Sequence, residues 1–370
     1  MRDDILRVFH KWLWIEDEVP LDIIVSTALA SMFPGDPIWI LVIGPPGCGK
    51  TEIVRALSGE WVYSIDSITS KTLISGLKEK GKETKFGIIQ DLHEKLLVIK
   101  DLTVMLQSNP YAKSEDNIFS QLRAAYDGEY ASAHGAGHKR QYYKARFGLI
   151  AAVTPIVDRY RSLNTSLGER FLSIRISQDS IRAIEKAQEN CGREETMRLE
   201  LQQVLAESFR QYKELGKSVG LEPLNFDDAL RIRALGNILA KMRSEVVRDK
   251  LRHPVAIPET EVGTRVVKQL TRLAEVLNLY GAYNYQNLTR VTRDSITPLK
   301  LRVIRALYEM FRANPWELHH KTGLPYPTVR EVCEDLYLLK ICDKEERGRT
   351  GYYTFNSESI ELIIISEMFE

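Results

Sequence analysis

The sequence predicts an α/β fold with a parallel-sheet core, a region of long helices and a small C-terminal module. Short apolar runs alternate with helical segments up to about Ile176, as strands do in a parallel sheet. The first of these runs leads directly into a glycine-rich loop that begins at Gly44. Strand-like runs stop near Ser177, where long charged helical segments begin. These three observations place the sheet in the first half of the chain.

Five apolar runs are the predicted strands. Each is short and nearly free of charge, which is typical of strands buried on both faces. The runs are Ile38–Ile43, Trp61–Ile65, Leu96–Ile99, Phe147–Val153 and Phe171–Ile176. Ahead of them, residues 1–30 carry apolar side chains at helical spacing and predict a helix, which is broken at Pro34, Gly35 and Pro37.

Long helical segments follow the last predicted strand. They are predicted over Ala183–Leu215, Phe226–Leu251 and Gly263–Leu279. The expected organisation is an N-terminal helical lead-in over 1–36, an α/β core over 37–178, a helical lid over 179–296 and a C-terminal domain over 297–370.

Composition and charge exclude several classes of protein. Fifty-one Lys and Arg against fifty Asp and Glu give a net charge of +1, so any nucleic-acid surface must be a local patch. The N-terminus has acids within its apolar stretch, unlike a signal peptide, and no apolar run reaches the roughly 18 residues of a membrane span. The four cysteines lack CxxC spacing, which argues against a zinc site or disulfide framework and predicts a reducing, cytoplasmic setting.

The loop from Gly44 to Thr51 fits the phosphate-binding pattern GxxxxGKS/T in full. Glycines let the backbone N–H groups point inward and let a phosphate come close. Lys50 is predicted to reach the β- and γ-phosphates, Thr51 to coordinate Mg²⁺, and the helix from Glu52 to favour the anion through its dipole. The predicted ligands are ATP and Mg²⁺. The predicted binding residues are Gly44, Pro45, Pro46, Gly47, Cys48, Gly49, Lys50, Thr51 and Glu52.

A second acidic element ends the strand Leu96–Ile99. An acid at the end of a strand beside such a loop usually holds the Mg²⁺ water shell and orients the attacking water. Most ATPases of this kind have Asp-Glu there, whereas this chain has Lys100-Asp101. Either one acid, Asp101, serves as both metal-site and catalytic residue where two are usual, or Asp101 takes only one of these roles.

The C-terminal residues predict three short helices and a hairpin. The helices are expected around Leu301–Phe311, Pro315–Lys321 and Thr328–Lys340, and the hairpin strands at Cys342–Glu346 and Tyr352–Phe355. This order resembles a winged-helix domain, which implies DNA contacts from Thr328 and Arg330 on the third helix and from Arg347 and Arg349 in the wing. The acids Glu331, Glu334 and Asp335 leave a protein-docking role open.

Taken together, the motifs resemble the AAA+ ATPases, and among them the minichromosome-maintenance-like helicases of replication and mobile elements. The resemblance covers residues 37–296. Beyond the phosphate-binding loop it is carried by several stretches in the family's order: Phe119–Glu129, the helix before the pre-sensor hairpin; Tyr130–Lys144, the hairpin; Ala145–Pro155, the sensor-1 strand; Gly168–Phe171, the arginine-finger segment; and Gly263–Arg265, the start of the sensor-2 helix.

The resemblance implies roles for residues outside the loop. Thr154, where the family usually has Asn, would steer water, and Arg170 would reach the γ-phosphate of a neighbouring subunit, with Arg159 and Arg161 as rivals. Arg265 would be the sensor-2 arginine. A finger supplied by a neighbour implies self-association into a ring, a hexamer by family analogy. The hairpin would contact DNA through His138, Lys139, Arg140 and Lys144.

Three functions are compatible with these expectations. The first is an ATP-driven DNA translocase or helicase. It is expected to lack that family's large N-terminal DNA-binding domain, which a replication or mobile-element partner would supply. The second is an AAA+ regulator or loader that remodels a protein partner. The third is a DNA-binding protein in which ATP only locks the assembly.

Overall fold

The computed structural model describes residues 1–66, 73, 88–103, 122, 125–133, 140–159, 170–249, 251–257 and 259–370. Five of its strands form one parallel sheet. They are β1 (Trp39–Ile43), β2 (Val62–Ile65), β3 (Leu96–Ile99), β6 (Gly148–Val153) and β7 (Leu172–Arg175), in the spatial order β2-β3-β6-β1-β7. Each neighbouring pair runs parallel, so the five predicted strands and their parallel arrangement are confirmed.

Burial explains why these segments form a sheet. Every residue of β1, β3 and β6 is buried, as expected for strands covered on both faces. Trp39 sits at the centre of one covering layer, with the rings of Tyr126, Phe147 and Phe171 at centroid distances of 5.1, 5.3 and 5.4 Å. The Trp39 indole N–H donates to the Phe147 carbonyl over 2.8 Å, so its polar atom is satisfied in the core.

Two helices occupy the N-terminus, so the prediction of one helix over residues 1–30 is wrong. They are α1 (Arg2–Trp12) and α2 (Val19–Ala30). Leu13 adopts extended backbone angles and ends α1. Pro20 lies in the first turn of α2, where its missing N–H has no partner within the helix to lose. In the interior of one continuous helix the same proline would remove a backbone hydrogen bond.

One of the helices predicted later in the chain is also divided into two. α3 (Lys50–Ala56) follows β1, and a 3₁₀ helix spans Ile88–Leu92. The helix predicted over 183–215 is two helices, α4 (Ser180–Glu189) and α5 (Glu194–Val219), because Gly192 between them has φ of 80°, outside the range of a helix.

The helix predicted over 226–251 ends early. α6 spans Phe226–Arg243, and a hairpin of β8 (Val247–Arg248) and β9 (Pro254–Ala256) follows it. The Asp249 carboxylate accepts from the backbone N–H groups of Leu251 and His253, each over 2.8 Å, and so stabilises a turn in place of helix. α7 (Thr264–Tyr280) follows close to its prediction, and α8 (Tyr285–Asp294) comes after it as a helix that was not predicted.

The C-terminal elements occur in the predicted order. They are α9 (Pro298–Met310), α10 (Pro315–Thr322), α11 (Tyr326–Leu338), β10 (Cys342–Arg347) and β11 (Thr350–Phe355). A further helix, α12 (Ser357–Ile365), follows the hairpin and was not predicted. Asn314 and Glu317 form a reciprocal capping box at the start of α10. A bridge between Ala313 and Tyr353 joins the segment before α10 to the β10–β11 hairpin.

Contacts divide the chain into two units. The first draws on described residues within Met1–Tyr160, Arg170–Pro223 and Arg272–Tyr283, and contains the sheet. The second includes Leu224–Thr271 and Asn284–Glu370. The expected four-part division of the chain remains a prediction. None of the described helices combines the length and apolar character that a membrane span requires.

Candidate nucleotide site

The loop after β1 has the geometry of a phosphate cradle. Gly47 and Gly49 have φ of 82° and 77°, which L side chains rarely adopt. A Cβ at Gly44 would lie 2.6 Å from the Cys48 sulfur, whereas the space around Gly47 is open. The glycine pattern therefore reflects both backbone conformation and close packing. The open space at Gly47 leaves room for an anion to approach the loop.

Lys50 opens helix α3 and is 8% exposed. Its ammonium donates to the Pro45 carbonyl over 2.9 Å, so the side chain folds back across the loop. Thr51 lies beside it at intermediate burial. One buried cation, a hydroxyl and a ring of backbone N–H groups at a helix start are the groups that a triphosphate with Mg²⁺ requires. The residues present fit that ligand.

The strand ends gather the other predicted groups on the same edge of the sheet. The backbone N–H of Gly44 donates to the Val153 carbonyl over 3.2 Å, and that of Leu102 donates to the Ala152 carbonyl over 2.8 Å. These bonds tie the phosphate-binding loop and the segment after β3 to the end of β6. Asp101 and Thr154 thus follow neighbouring parallel strands, as the sequence predicted.

The Asp101 carboxylate has a local role in the structure. Its Oδ1 accepts from the Thr103 backbone N–H over 2.8 Å, which orients an exposed side chain. The Thr103 hydroxyl in turn accepts from the Thr154 backbone N–H over 3.1 Å and lies 3.4 Å from the Thr154 hydroxyl. Lys100, which stands where a first acid is usual, pairs with Asp66 over 3.0 Å. Asp101 and Thr154 are therefore linked through Thr103.

A cavity of about 350 Å³ opens beside the loop. Its walls come from three segments: the residues after α1, the phosphate-binding loop, and α4 with the start of α5. The lining residues are Trp12, Leu13, Trp14, Gly47, Gly49, Lys50, Thr51, Glu52, Gln178, Ala183, Lys186, Ala187, Asn190, Glu194, Met197 and Arg198. Polar groups at the loop and apolar walls beyond it suit a nucleotide, with phosphates at one end and base at the other.

The wall formed by residues 12–14 was not predicted as part of the site. The Asn190 amide donates to the Trp12 carbonyl over 3.0 Å, and the Trp12 indole donates to Glu200 over 2.8 Å. The Arg182 guanidinium lies 4.9 Å from the Trp14 ring centroid. The two neighbouring tryptophans, Trp12 and Trp14, could have indicated this wall from the sequence. The prediction of one continuous helix over residues 1–30 obscured it.

Glu52 connects the loop's helix to α5. Its carboxylate accepts two hydrogen bonds from Arg198, over 3.0 and 2.9 Å, and also pairs with Arg55 over 3.1 Å. The hydrogen bonds to Glu52 raise the pKa of the Arg198 guanidinium. Sequence reasoning did not identify Arg198, because its position in a long charged helix resembles that of any solvated arginine.

Arg170 precedes the edge strand β7. Its side chain is 11% exposed, pairs with Asp127 over 3.5 Å and lies 5.6 Å from the Tyr126 ring centroid. In this structure it therefore binds groups of its own chain. Residues 160–169, which include the rival Arg161, lie outside the described residues.

Arg265 belongs to the second unit. Its guanidinium donates to Glu261 over 2.9 Å, and Glu261 also pairs with Arg243 over 2.5 Å. The role of Arg265 as the sensor-2 arginine remains a prediction.

The predicted hairpin at Tyr130–Lys144 has two antiparallel strands, β4 (Glu129–Ala133) and β5 (Arg140–Lys144). They pair in register from Glu129 opposite Lys144 to Ala133 opposite Arg140. The predicted DNA-contacting residues His138 and Lys139 lie outside the described residues, as do residues 119–121, 123 and 124 of the predicted helix 119–129.

The C-terminal candidates differ in their surroundings. Thr328 is half-buried at the start of α11, and Arg330, Arg347 and Arg349 are exposed. Arg347 donates to Glu345 over 2.9 Å within the β10–β11 hairpin. The acid Asp335 is not a solvated surface group, because its side chain is 15% exposed and pairs with Arg248 over 2.5 Å.

Comparison with known proteins agrees with the geometry of the loop. Residues 40–177 match a family model described as ATPase family associated with various cellular activities (AAA). The match spans the phosphate-binding loop, Asp101, Thr154 and all five strands of the sheet. It indicates ATP hydrolysis of the AAA+ type, and ATPases of this family use ATP, typically with Mg²⁺. No curated protein matches the chain in sequence.

Proposed function

We propose that this chain, an ATPase of the AAA+ type, is an ATP-dependent DNA translocase or helicase of the minichromosome-maintenance-like kind. It would assemble into a ring, a hexamer by family analogy, and hydrolyse ATP between subunits to move on or unwind DNA. A cytoplasmic location and a replication or mobile-element partner belong to the same proposal.

The observation that carries the proposal is the β4–β5 hairpin. It lies in the chain between Asp101 and β6 (Gly148–Val153), so its C-terminal end leads into the strand that Thr154 follows. The backbone N–H of Ala145 donates to the Gly128 carbonyl over 3.0 Å and closes the base of the hairpin. A hairpin rooted there would transmit changes at the γ-phosphate to its tip, where His138 and Lys139 stand in the sequence.

The proposed chemistry uses positioned charges rather than covalent intermediates. Lys50 would neutralise the β- and γ-phosphates, and Asp101, oriented by Thr103, would position the attacking water. Thr154 would hydrogen-bond that water or the γ-phosphate. Mg²⁺ held by Thr51 and Asp101 would supply charge stabilisation at the phosphate oxygens. Arg170 of a neighbouring subunit and Arg265 would complete the site.

The C-terminal elements support a DNA-directed function. Their order, three helices followed by a two-stranded hairpin, is that of a winged-helix domain, which we include in the proposal. Thr328, Arg330, Arg347 and Arg349 are its candidate DNA contacts.

The test is an ATPase assay with and without single-stranded DNA, combined with a strand-separation assay. We expect stimulation by DNA and unwinding, both abolished by Lys50→Ala. Stimulation by a protein without unwinding would instead identify a regulator or loader.

A second candidate is a DNA-bound assembly that ATP locks without rapid turnover. It is favoured by Lys100, which pairs with Asp66 where a catalytic acid is usual. ATP-dependent assembly with negligible DNA-stimulated turnover is the result expected for this candidate.

A further inference from the structure

Exposed side chains of α10 and α11 combine aromatic rings with positive charge. Trp316 is 61% exposed, Tyr326 41% and Tyr337 46%, although rings of this size are usually well buried. His320 and Arg330 are exposed as well. The surface formed by Trp316, His320, Tyr326, Arg330 and Tyr337 is here named the aromatic face.

The rings of this surface form a row. The Trp316 and His320 rings meet edge to face with centroids 3.9 Å apart, and His320 lies 4.9 Å from His319. His319 is 6.3 Å from Tyr326, at the start of α11. Along α11, Tyr326, Arg330 and Tyr337 are spaced by four and seven residues, which places them on one side of the helix. The row therefore continues from α10 onto α11.

The acids of α11 pair with arginines of the β8–β9 hairpin, although Glu334, four residues after Arg330, borders the aromatic face. Arg248, whose side chain is 6% exposed, pairs with Asp335 over 2.5 Å and with Glu334 over 2.9 Å. Arg252 of the same hairpin pairs with Glu331. These contacts set two guanidinium groups against the three carboxylates that made the helix look unsuited to nucleic acid. They also prevent the hairpin-facing side of α11 from entering a DNA groove.

The wing offers little excess charge. Arg347 pairs with Glu345 over 2.9 Å and Lys344 pairs with Glu346 over 2.8 Å. Cations that are matched within the hairpin attract a phosphate backbone weakly. On the aromatic face Arg330 is exposed, and Arg302 stands on the neighbouring helix α9, whereas Lys321 of α10 is paired with Glu309 over 3.0 Å.

We propose that the aromatic face binds single-stranded nucleic acid, with bases stacked on Trp316 and Tyr326 and a phosphate held by Arg330. This inference rests on the proposed DNA-directed function and assigns its contact surface in the C-terminal module. Stacking on exposed rings tolerates any base, and an adjacent cation follows the backbone. The large exposed aliphatic side chains of this module, Leu299 and Ile364, belong to other helices, so the row suits base stacking better than an aliphatic protein contact.

The experiment measures binding of a fluorescein-labelled oligothymidylate to the full chain by anisotropy. Trp316→Ala should weaken affinity by roughly 5- to 100-fold, since each stacked base contributes about that much. Trp316→Phe should retain most of the affinity because it keeps an aromatic ring. Phe311→Ala is the matched control: Phe311 is 75% exposed in the same module, next to Arg312, which lies over Tyr352 of the wing.

Arg330→Gln supplies a second readout. Loss of one phosphate contact should reduce the slope of log affinity against log salt by about 0.7 for a single strand. Circular dichroism and melting temperature establish that each variant is folded.

The outcomes separate the two proposals. If the unmodified chain binds the oligonucleotide and shows DNA-stimulated ATPase while Trp316→Ala binds equally well, the aromatic face is not the contact and the proposed function stands. If the unmodified chain neither binds nor responds to DNA, both proposals fail. If Trp316→Ala loses affinity for the oligonucleotide and Phe311→Ala keeps it, the assignment of the aromatic face is supported.

Discussion

Arg198 of α5 donates two hydrogen bonds to the carboxylate of Glu52, over 3.0 and 2.9 Å, in the first turn after the phosphate-binding loop. Both residues also line the cavity beside the loop. The ion pair thus fixes one wall of the nucleotide site to the helix that presents Lys50 and Thr51. A bidentate arginine–carboxylate pair has a defined geometry, so it positions as well as attracts.

Replacing Arg198 with Met should weaken nucleotide binding modestly. Partly exposed ion pairs contribute about 1 kcal/mol or less, which corresponds to a rise in Kd of up to roughly fivefold. Titration with a fluorescent ATP analogue measures the change. Arg210→Met is the control, because Arg210 lies on the same helix and pairs with Glu207 away from the cavity. Equal effects of the two substitutions would contradict a role for the Glu52 contact.

Asp101→Asn should leave the local structure intact but slow hydrolysis. The asparagine carbonyl can still accept from the Thr103 N–H, so the substitution removes charge while keeping the turn. We expect kcat to fall by roughly 100-fold, a typical loss for a group that activates water, with melting temperature unchanged. Asp66→Asn, which breaks the pair with Lys100, is the control. Unchanged turnover in Asp101→Asn would favour the nucleotide-locked assembly.

Arg170 can be tested for a role across a subunit boundary. If it acts as a finger, Arg170→Ala should lower kcat by about 10³-fold. Mixing Arg170→Ala with Lys50→Ala subunits should then restore part of the activity, because some interfaces combine an intact loop with an intact arginine. Absence of recovery counts against the trans arrangement. Arg170→Lys, which keeps a cation opposite Asp127, controls for loss of the internal ion pair.

Arg248→Met should destabilise the second unit strongly. The substitution leaves Asp335 and Glu334 without their guanidinium partner. Because the Arg248 side chain is only 6% exposed, breaking this pair costs about 3 kcal/mol or more. Burial lowers the pKa of Arg248, but its hydrogen bonds to Asp335 and Glu334 outweigh this effect and raise it. Arg252→Met is the control, since Arg252 is 69% exposed and its pair is worth less than about 1 kcal/mol. A similar fall in melting temperature for both variants would contradict the expected difference between the ion pairs of Arg248 and Arg252.

Lys300 should make stability depend on pH. Its ammonium is fully buried and donates to the Ser244 carbonyl over 2.6 Å, and burial lowers its pKa below the ordinary 10.5. Between the folded value and 10.5 the unfolded chain binds more protons, so stability should rise with pH through that window, by at most about 1.4 kcal/mol per pH unit.

The check is the melting temperature of the chain and of Lys300→Met measured from pH 7 to 10. The difference between them should shift in favour of the unmodified chain as pH rises. A difference that stays constant would show that the amine does not titrate in this range.

The sheet and the phosphate-binding loop could be predicted because their causes are local. Strands buried on both faces must be apolar throughout, as Ile38–Ile43 is, and a loop that surrounds a phosphate needs glycine at Gly47 and Gly49. The failures also have physical causes. Helical spacing continued through Leu13 and Arg193, but α1 ends where Leu13 adopts extended backbone angles, and Gly192 with its positive φ separates α4 from α5.

What the sequence determined alone was the five strands of the sheet and the glycine-rich loop that connects β1 to α3. The tertiary structure alone decided which distant residues share a surface. Trp12 and Asn190 meet at one wall of the cavity, and Arg248 pairs with Asp335 and Glu334 of α11. Local spacing sets the backbone conformation, whereas long-range contacts depend on how separate elements pack, which no single segment encodes.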